Sequence, residues 1–118
     1  MLLHAITDSL LGAACAGDIG ELFPDTAAEN KGLDSALMLA AARDRIADLG
    51  WQISNVDCVV LAERPKLIPH KPRMQARIAD ILGIQSDQVG LKGKTGEGTG
   101  EIGRGQIMQA LASCLIYR

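Results

Sequence analysis

The segment ISNVDCVVLAERPKLIPH, residues 53–70, changes character halfway along its length. Its first part, residues 53–62, is rich in β-branched side chains, which pack well on a pleated surface and predict a largely buried strand. Those side chains are Ile53, Val56, Val59 and Val60. Two prolines interrupt the second part, so residues 64–70 are expected to form a loop. The architecture is therefore expected to contain a largely buried strand that runs into a loop.

Amphipathic helices are predicted upstream of this strand. Residues 2–16 carry apolar side chains at spacings of three and four, and Gly17 would end that helix. A second helix would be capped by Asp34 or Ser35 and end at Gly50. Its buried side is expected to consist of Leu39, Ala42, Ile46 and Leu49.

Downstream of the strand, a third helix is predicted between Pro72 and Gly83, followed by a short strand at Val89 and Leu91. Seven of the 13 glycines lie between residues 90 and 105, which indicates a polar, permissive loop. The segment 106–117 fits a helix through one set of apolar residues and a strand through another, so its pattern leaves both open. Alternating helices and strands indicate one α/β or α+β domain over residues 1–118, a sandwich of sheet on helices.

Composition excludes several classes of function. The 118 residues carry 12 Lys+Arg against 14 Asp+Glu and only three aromatic side chains, which disfavours nucleic-acid binding. No apolar run is long enough to cross a membrane, and no leader is recognisable, so a cytoplasmic location is expected. The three cysteines, Cys15, Cys58 and Cys114, match no metal-binding or disulfide spacing and are interpreted as small buried hydrophobes.

The glycine-rich loop is a candidate phosphate site. Gly93, Lys94 and Thr95 resemble the end of a phosphate-binding P-loop, but that motif requires glycine where this chain has Gln88. Flexible backbone N–H groups beside Lys94, Thr95 and Arg104 would still suit phosphate oxygens. A plain surface loop is the competing interpretation.

Isolated polar residues near the amino terminus allow two interpretations each. His4 and Asp8 lie one helical turn apart, so His4 is either a solvated surface side chain or a metal ligand that Asp8 orients. Asp18 and Asp25 are turn formers or acceptors for sugar hydroxyls. His70, after Pro69, is interpreted as a loop residue.

Several segments combine into one specific pattern. They are residues 4–14 (HAITDSLLGAA), 17–26 (GDIGELFPDT), 31–35 (KGLDS), 55–57 (NVD) and 65–70 (PKLIPH), with Lys92, Thr95, Glu97 and residues 103–105 (GRG). In this order they resemble the 2-C-methyl-D-erythritol 2,4-cyclodiphosphate synthase family along effectively the whole chain. The resemblance implies an enzyme that converts 4-diphosphocytidyl-2-C-methyl-D-erythritol 2-phosphate into the cyclic diphosphate and CMP, in the non-mevalonate isoprenoid pathway.

The resemblance also implies roles for individual residues. Asp18, Ile19 and Gly20 would hold the ribose. The segment formed by Ala62, Glu63, Arg64, Pro65, Lys66, Leu67 and Ile68 would read the cytosine. The methylerythritol and its phosphate would lie under Phe23, Pro24, Asp25 and Thr26. The diphosphate would contact Lys94, Thr95, Gly96, Glu97 and Arg104, with Thr95 as the catalytic residue that steadies the transition state.

Metals and assembly follow from the same resemblance. His4 would be one of three ligands of Zn²⁺ or another divalent cation, and Glu97 would bind a Mg²⁺ or Mn²⁺ that bridges the phosphates. The fold implied is a two-layer ferredoxin-like sandwich with residues 106–117 as a strand. Three copies would form a homotrimer about a three-fold axis, with sheets facing the axis and sites between subunits.

Some of the family pattern is missing. The amino-terminal strand whose Asp-x-His pair supplies two zinc ligands has no counterpart, so an amino-terminally truncated member is expected. Lys94 replaces the usual Thr and Glu101 the usual aromatic residue. The alternative function is a non-catalytic, nucleotide-binding trimeric remnant, since one imidazole does not make a catalytic zinc site.

Overall fold

The computed structural model describes residues 1–24, 34–64 and 66–118. Five helices and three strands are assigned within them. They are α1 (Leu2–Ala13), α2 (Ile19–Leu22), α3 (Ser35–Asp48), β1 (Gln52–Leu61), α4 (Lys71–Leu82), β2 (Val89–Lys94), α5 (Gly100–Gly103) and β3 (Gln109–Tyr117). Short 3₁₀ turns at Ile68–His70 and Ser86–Gln88 precede α4 and β2.

The strand predicted over residues 53–62 is β1, and it is the central strand of a sheet of order β2-β1-β3. β1 and β2 are parallel, from the pair Val56 and Val89 to the pair Leu61 and Lys94. β1 and β3 are antiparallel, and their register shifts once near the start of β1. The carboxyl ends of β1 and β2 therefore lie at the same edge of the sheet.

One face of the sheet packs against helices. α1 lies against β3, α3 against α1, and α4 against both α3 and β2. Alternate strand residues enter this core, among them Val56, Cys58, Val89 and Leu91, and each is 2% exposed or less. The expectation of a mixed α/β sandwich with a sheet on helices is confirmed. A ferredoxin-like topology in full stays a prediction.

Segment 106–117 contains strand β3, as the resemblance implied. Ala112, Cys114 and Ile116 pack against the core, whereas Leu111 and Leu115 lie on the opposite face with about 60% of their surface exposed. Apolar residues on both faces explain why the pattern alone also fitted a helix. The chain thus presents an exposed apolar sheet face, defined by Leu111, Leu115 and Tyr117.

Capping residues in the sequence correctly predicted two helix ends. Asp34, rather than Ser35, caps α3 by accepting the Ala36 N–H at 2.9 Å. Gly83 ends α4 in the left-handed conformation, with φ of 70°, as its position predicted. Within the described residues, none of the helices has the length and apolar character required to span a bilayer.

Three expectations in this part of the chain were wrong. α1 ends at Ala13, short of residue 16, because the chain turns into a left-handed conformation at Cys15. Cys15 is consequently exposed and not buried. Leu49 is also exposed, since it follows the end of α3 and leaves the buried stripe of that helix.

Candidate functional site

A cavity of about 440 Å³ opens at the carboxyl ends of β1 and β2. The ladder between the strands ends with the Ala62 N–H, which donates to the Lys94 carbonyl at 3.0 Å. Beyond that bond the backbone ladder between the strands ends, and the cavity lies at this point. The cavity is lined by Val60, Ala62, Glu63, Lys66, Leu67, Ile68, Lys71, Lys92, Gly93, Lys94 and Thr95. Ligands of parallel sheets characteristically bind at this edge.

The predicted cytosine segment and the predicted phosphate segment therefore meet in one place. Ala62, Glu63, Lys66, Leu67 and Ile68 line the same cavity as Lys94 and Thr95, although about thirty residues separate them in sequence. Their contact is close, because a Cβ on Gly93 would lie 3.0 Å from the Leu67 Cβ. Any side chain at position 93 would push Leu67 away. Pro65 lies outside the described residues.

Four lysines give the cavity a positive charge. They are Lys66, Lys71, Lys92 and Lys94. Lys92 pairs with Asp57 at 2.9 Å, with both side chains nearly half exposed. Among the described residues, no ion pair engages the other three lysines. Val60, Leu67 and Ile68 supply apolar surface beside these charges, so the cavity combines an apolar wall with sites for an anion.

Lys71 was not predicted as a site residue, and Lys92 was noted only as part of the family pattern. Lys71 begins α4 directly after the 3₁₀ turn, and this turn brings it back toward the end of β1. Lys92 alternates with buried Leu91 on β2. The alternation was visible in the sequence, but the pairing of β2 with β1 was not.

The glycine-rich segment after β2 is held against the end of β1. The Gly96 N–H donates to Glu63 Oε2 at 3.0 Å, and the Glu97 N–H donates to Thr95 Oγ1 at 3.2 Å. Glu97 adopts a left-handed conformation, with φ of 52°, and its side chain is exposed. Thr95, Gly96 and Glu97 thus form a short turn beside the cavity, in which the Gly96 and Glu97 N–H groups already have partners within the chain. A phosphate-binding role for this loop stays a prediction.

This loop folds closely on itself. A Cβ on Gly96 would lie 2.3 Å from the Gly103 nitrogen, and a Cβ on Gly103 would lie 2.5 Å from the Gly98 carbonyl carbon. Only glycine permits such an approach of backbone to backbone. Arg104 follows this loop and lines a neighbouring cavity of about 570 Å³ together with Glu63 and Arg64. The structure thus separates Arg104 and Arg64 from the lysine-lined cavity.

The predicted ribose segment lies on another part of the chain. Asp18 caps the short helix α2 by accepting the Glu21 N–H at 2.9 Å, which is a local structural role. Ile19 and Gly20 belong to that helix, and Phe23 and Pro24 follow it. None of these five residues lines the described cavity. Asp25 and Thr26 lie outside the described residues.

His4 does not have the partner expected for it. Its Nε2 lies 3.0 Å from Ser35 Oγ, whereas Asp8 Oδ1 accepts the Ile19 N–H at 2.8 Å. The expectation that Asp8 orients His4 is therefore wrong, because Asp8 ties α1 to α2 instead. No three His, Cys, Asp or Glu side chains cluster as a metal site in residues 1–24, 34–64 and 66–118. The described donors do not by themselves fit a catalytic zinc ion.

The remaining cysteines behave as core residues. Burial, with a smaller contribution from Asp57, raises the pKa of the Cys58 thiol to about 11. Burial also raises the pKa of Cys114, whose thiol donates to the Ser9 carbonyl. Burial thus favours the protonated form of both thiols. Cys58 is buried, in agreement with the interpretation as a small buried hydrophobe, whereas Cys114 is only half-buried.

The fold and the cavity define a mixed α/β protein that presents a cationic cleft at the carboxyl ends of two parallel strands. The model of the YgbB family matches residues 1–117. The 2-C-methyl-D-erythritol 2,4-cyclodiphosphate synthase of Treponema denticola is 50% identical over 117 residues, which are 99% of this chain and 73% of the relative. The synthase of the same name from Neisseria gonorrhoeae is 53% identical over the same proportions.

A solved structure of a 2C-methyl-D-erythritol-2,4-cyclodiphosphate synthase in a CDP-bound form is also similar. It has a TM-score of 0.88 and 34% sequence identity, and the match covers 98% of this chain and 74% of that one. The chain belongs to the YgbB family, whose curated members named above are cyclodiphosphate synthases.

Proposed function

We propose that this chain acts as a 2-C-methyl-D-erythritol 2,4-cyclodiphosphate synthase, which forms the cyclic diphosphate and CMP from 4-diphosphocytidyl-2-C-methyl-D-erythritol 2-phosphate. The observation that carries the proposal is the cavity in which Ala62, Glu63 and residues 66–68 meet Lys94 and Thr95. It places an apolar wall for a base next to cationic groups for a diphosphate. Such a pairing is what a cytidine diphosphate ligand requires.

The cytosine would lie against Leu67 and Ile68, and backbone groups of residues 62–68 would read its edge. Lys66, Lys71 and Lys94 would neutralise the diphosphate, since none of them has an ion-pair partner within the described part of the chain. The ribose role of Asp18, Ile19 and Gly20 and the role of Phe23 to Thr26 over the methylerythritol stay predictions. Those residues, like Arg104, would act on a part of the substrate beyond the cavity.

The reaction would need little acid–base chemistry from the protein. An oxygen of the substrate's own 2-phosphate attacks the β-phosphorus, and the bond from that phosphorus to CMP breaks as the new P–O bond forms. The chain must then hold two anionic groups in line. Lysine charge and the Thr95 hydroxyl would stabilise the charge that develops, and Thr95 is already hydrogen-bonded to its own loop.

The proposal includes a divalent ion at Glu97 but assigns no step to a zinc ion at His4. Glu97 offers one exposed carboxylate beside Thr95, which suits a Mg²⁺ or Mn²⁺ that takes its other ligands from substrate phosphates and water. Such an ion would neutralise phosphate charge. His4 would be one ligand of a zinc ion, but the described residues do not complete that site, so no step is assigned to it.

We also propose that the chain assembles as a homotrimer through its exposed apolar sheet face. Leu111 and Leu115 lie on this face of β3, and Val59 of β1 pairs with Leu111. A face of this kind is typical of a protein interface. Light scattering should give three times 12.5 kDa at micromolar concentration. The variant Leu111→Glu should give a smaller mass, and a monomer for the unchanged chain would contradict the proposal.

Turnover and binding together test the function. The chain is incubated with the diphosphocytidyl substrate and Mg²⁺, CMP release is followed by chromatography, and CDP binding is measured by calorimetry. CMP release supports the synthase. CDP binding without CMP release favours the non-catalytic remnant, which the incomplete metal donor set would explain. A folded sample that does neither would refute both. A cytoplasmic location remains a prediction from the sequence.

A further inference from the structure

The hydrogen bond between Glu63 and Gly96 takes the place of a missing rung in the sheet. In a parallel ladder, one residue donates its N–H to a carbonyl of the neighbouring strand. Its own carbonyl then accepts the N–H of the residue two positions further along that neighbouring strand. The Ala62 N–H donates to the Lys94 carbonyl, so the Ala62 carbonyl would next accept from the Gly96 N–H. In this chain the Gly96 N–H donates instead to Glu63 Oε2, at 3.0 Å.

The change of acceptor, from a backbone carbonyl to the Glu63 side chain, alters the path of the loop after β2. A backbone acceptor would continue the sheet and keep Thr95 to Glu97 extended, whereas here the Glu63 side chain accepts the Gly96 N–H in place of the Ala62 carbonyl. The loop then turns at Glu97, which has φ of 52°, and closes through the Thr99 N–H and hydroxyl onto the Gly96 carbonyl. Gly96 is thus fixed on both its donor and its acceptor side.

We propose that Glu63 is a positioning residue, which holds the Thr95–Glu97 turn at the distance from β1 that a nucleotide diphosphate requires. The inference deepens the proposed function and rests on it. Glu63 is half-buried and reaches the loop from the segment assigned to the base. One side chain thereby connects the part of the cavity that would bind cytosine with the part that would bind phosphate.

Two substitutions separate geometry from charge. Glu63→Gln keeps the length of the side chain and an oxygen acceptor, while Glu63→Asp keeps the charge but is one methylene too short. A positioning role predicts that Gln retains function and Asp does not, and a purely electrostatic role predicts the reverse. Gln88→Ala is the matched control, because Gln88 donates to the Ser54 carbonyl at 3.0 Å and ties the opposite ends of the same two strands.

The first readout is amide hydrogen exchange at Gly96, which needs no ligand. Exchange should rise at least tenfold in Glu63→Ala and Glu63→Asp, and stay within about twofold of the unchanged chain in Glu63→Gln and Gln88→Ala. An unchanged Gly96 rate in Glu63→Ala would overturn the inference, because the hydrogen bond would then not hold the loop.

The second readout compares the dissociation constants of CDP and CMP. In Glu63→Ala and Glu63→Asp, CDP should bind about tenfold more weakly while CMP changes less than about twofold, since only CDP carries the second phosphate. Glu63→Gln should restore CDP binding. Equal weakening of both nucleotides, or no weakening, would overturn the positioning role alone. If the unchanged chain binds neither nucleotide, the proposed function fails together with this inference.

Discussion

The two ends of the β1–β2 pair differ in the side chains that surround them. At the amino ends, neutral amide side chains close the ladder: Gln88 donates to the Ser54 carbonyl, and Gln75 donates to the Val89 carbonyl at 2.7 Å. At the carboxyl ends, lysines and a glycine-rich turn surround an open cavity. The same two strands thus carry amide side chains bonded to backbone at one end and a lysine-lined cavity, the open end, at the other. The difference indicates that lysine charge and glycine are concentrated at the end that carries the proposed nucleotide site.

The middle of the β1–β2 pair, between these two ends, is expected to stay closed to solvent. Thiol reactivity tests this expectation and should show the largest effect. Cys58 is fully buried with a pKa of about 11, whereas Cys15 is exposed. At pH 8 only about one in a thousand Cys58 thiols would be ionised, against about one in four for an ordinary thiol, so Cys58 should react with a thiol reagent at least about a hundredfold more slowly than the exposed Cys15. Mass spectrometry of the labelled peptides measures the ratio.

The pH dependence of that reaction has a defined sign. The Cys58 rate should rise about tenfold per pH unit from 8 toward 11, because the thiolate fraction grows below the pKa. The raised pKa also means that Cys58 lowers the stability of the folded chain as the pH rises. Its contribution is fully present below about pH 9 and is lost between about pH 9 and 11, where the unfolded thiol ionises and the folded one does not. Similar rates for Cys15 and Cys58 at pH 8 would show that the middle of the sheet opens.

Core packing gives the next largest effect. Leu91 is 1% exposed and pairs with Cys58 across the strands. Leu91→Ala should lower the free energy of unfolding by about 3 kcal/mol, because it removes buried surface and leaves a cavity. Urea denaturation measures the loss. Leu37→Ala, at a position 60% exposed on α3, should cost less than about 1 kcal/mol, and equal costs would place the core elsewhere.

A charge reversal at the open end should have a smaller but specific effect. Lys94→Glu replaces a positive charge with a negative one beside the proposed diphosphate site, and CDP affinity should fall about 30-fold, or about 2 kcal/mol. Calorimetry at constant ionic strength measures it. Arg45→Glu makes the same change of charge on the exposed side of α3, and its CDP affinity should change less than about twofold. Equal losses would mean that only net charge matters.

Local signals made much of the fold predictable. Asp34 and Gly83 mark helix ends through hydrogen bonding and left-handed backbone conformation, both of which depend on neighbouring residues alone. The β-branched residues around Val56 likewise identified a largely buried strand, and its central position came from the pairing of β1 with β2 and β3. Segment 106–117 needed more than its pattern, because Leu111 and Leu115 are apolar on the face that leaves the core.

The site was less accessible to sequence reasoning. Residues 62–68 could be proposed as a binding segment only through the family resemblance, whereas the glycine-rich composition also pointed to Lys94 and Thr95. That the two segments meet depends on the pairing of β1 with β2. Lys71 reaches the cavity only because a 3₁₀ turn redirects the chain. Helical spacing suggested that Asp8 would contact His4. In the structure Asp8 instead accepts the N–H of Ile19, which lies in α2 and not in the helix of Asp8.

Titration of the isotopically labelled chain with CDP, followed by nuclear magnetic resonance, tests the central claim most directly. Amide resonances of residues 62–63, 66–68 and 92–95 should shift in a saturable way, because these residues line the cavity at the carboxyl ends of β1 and β2. Those of residues 85–88, at the amino end of β2, should remain unchanged. Shifts confined to residues 85–88, or no saturable shift at any concentration, would contradict the assignment of the open end as the nucleotide site.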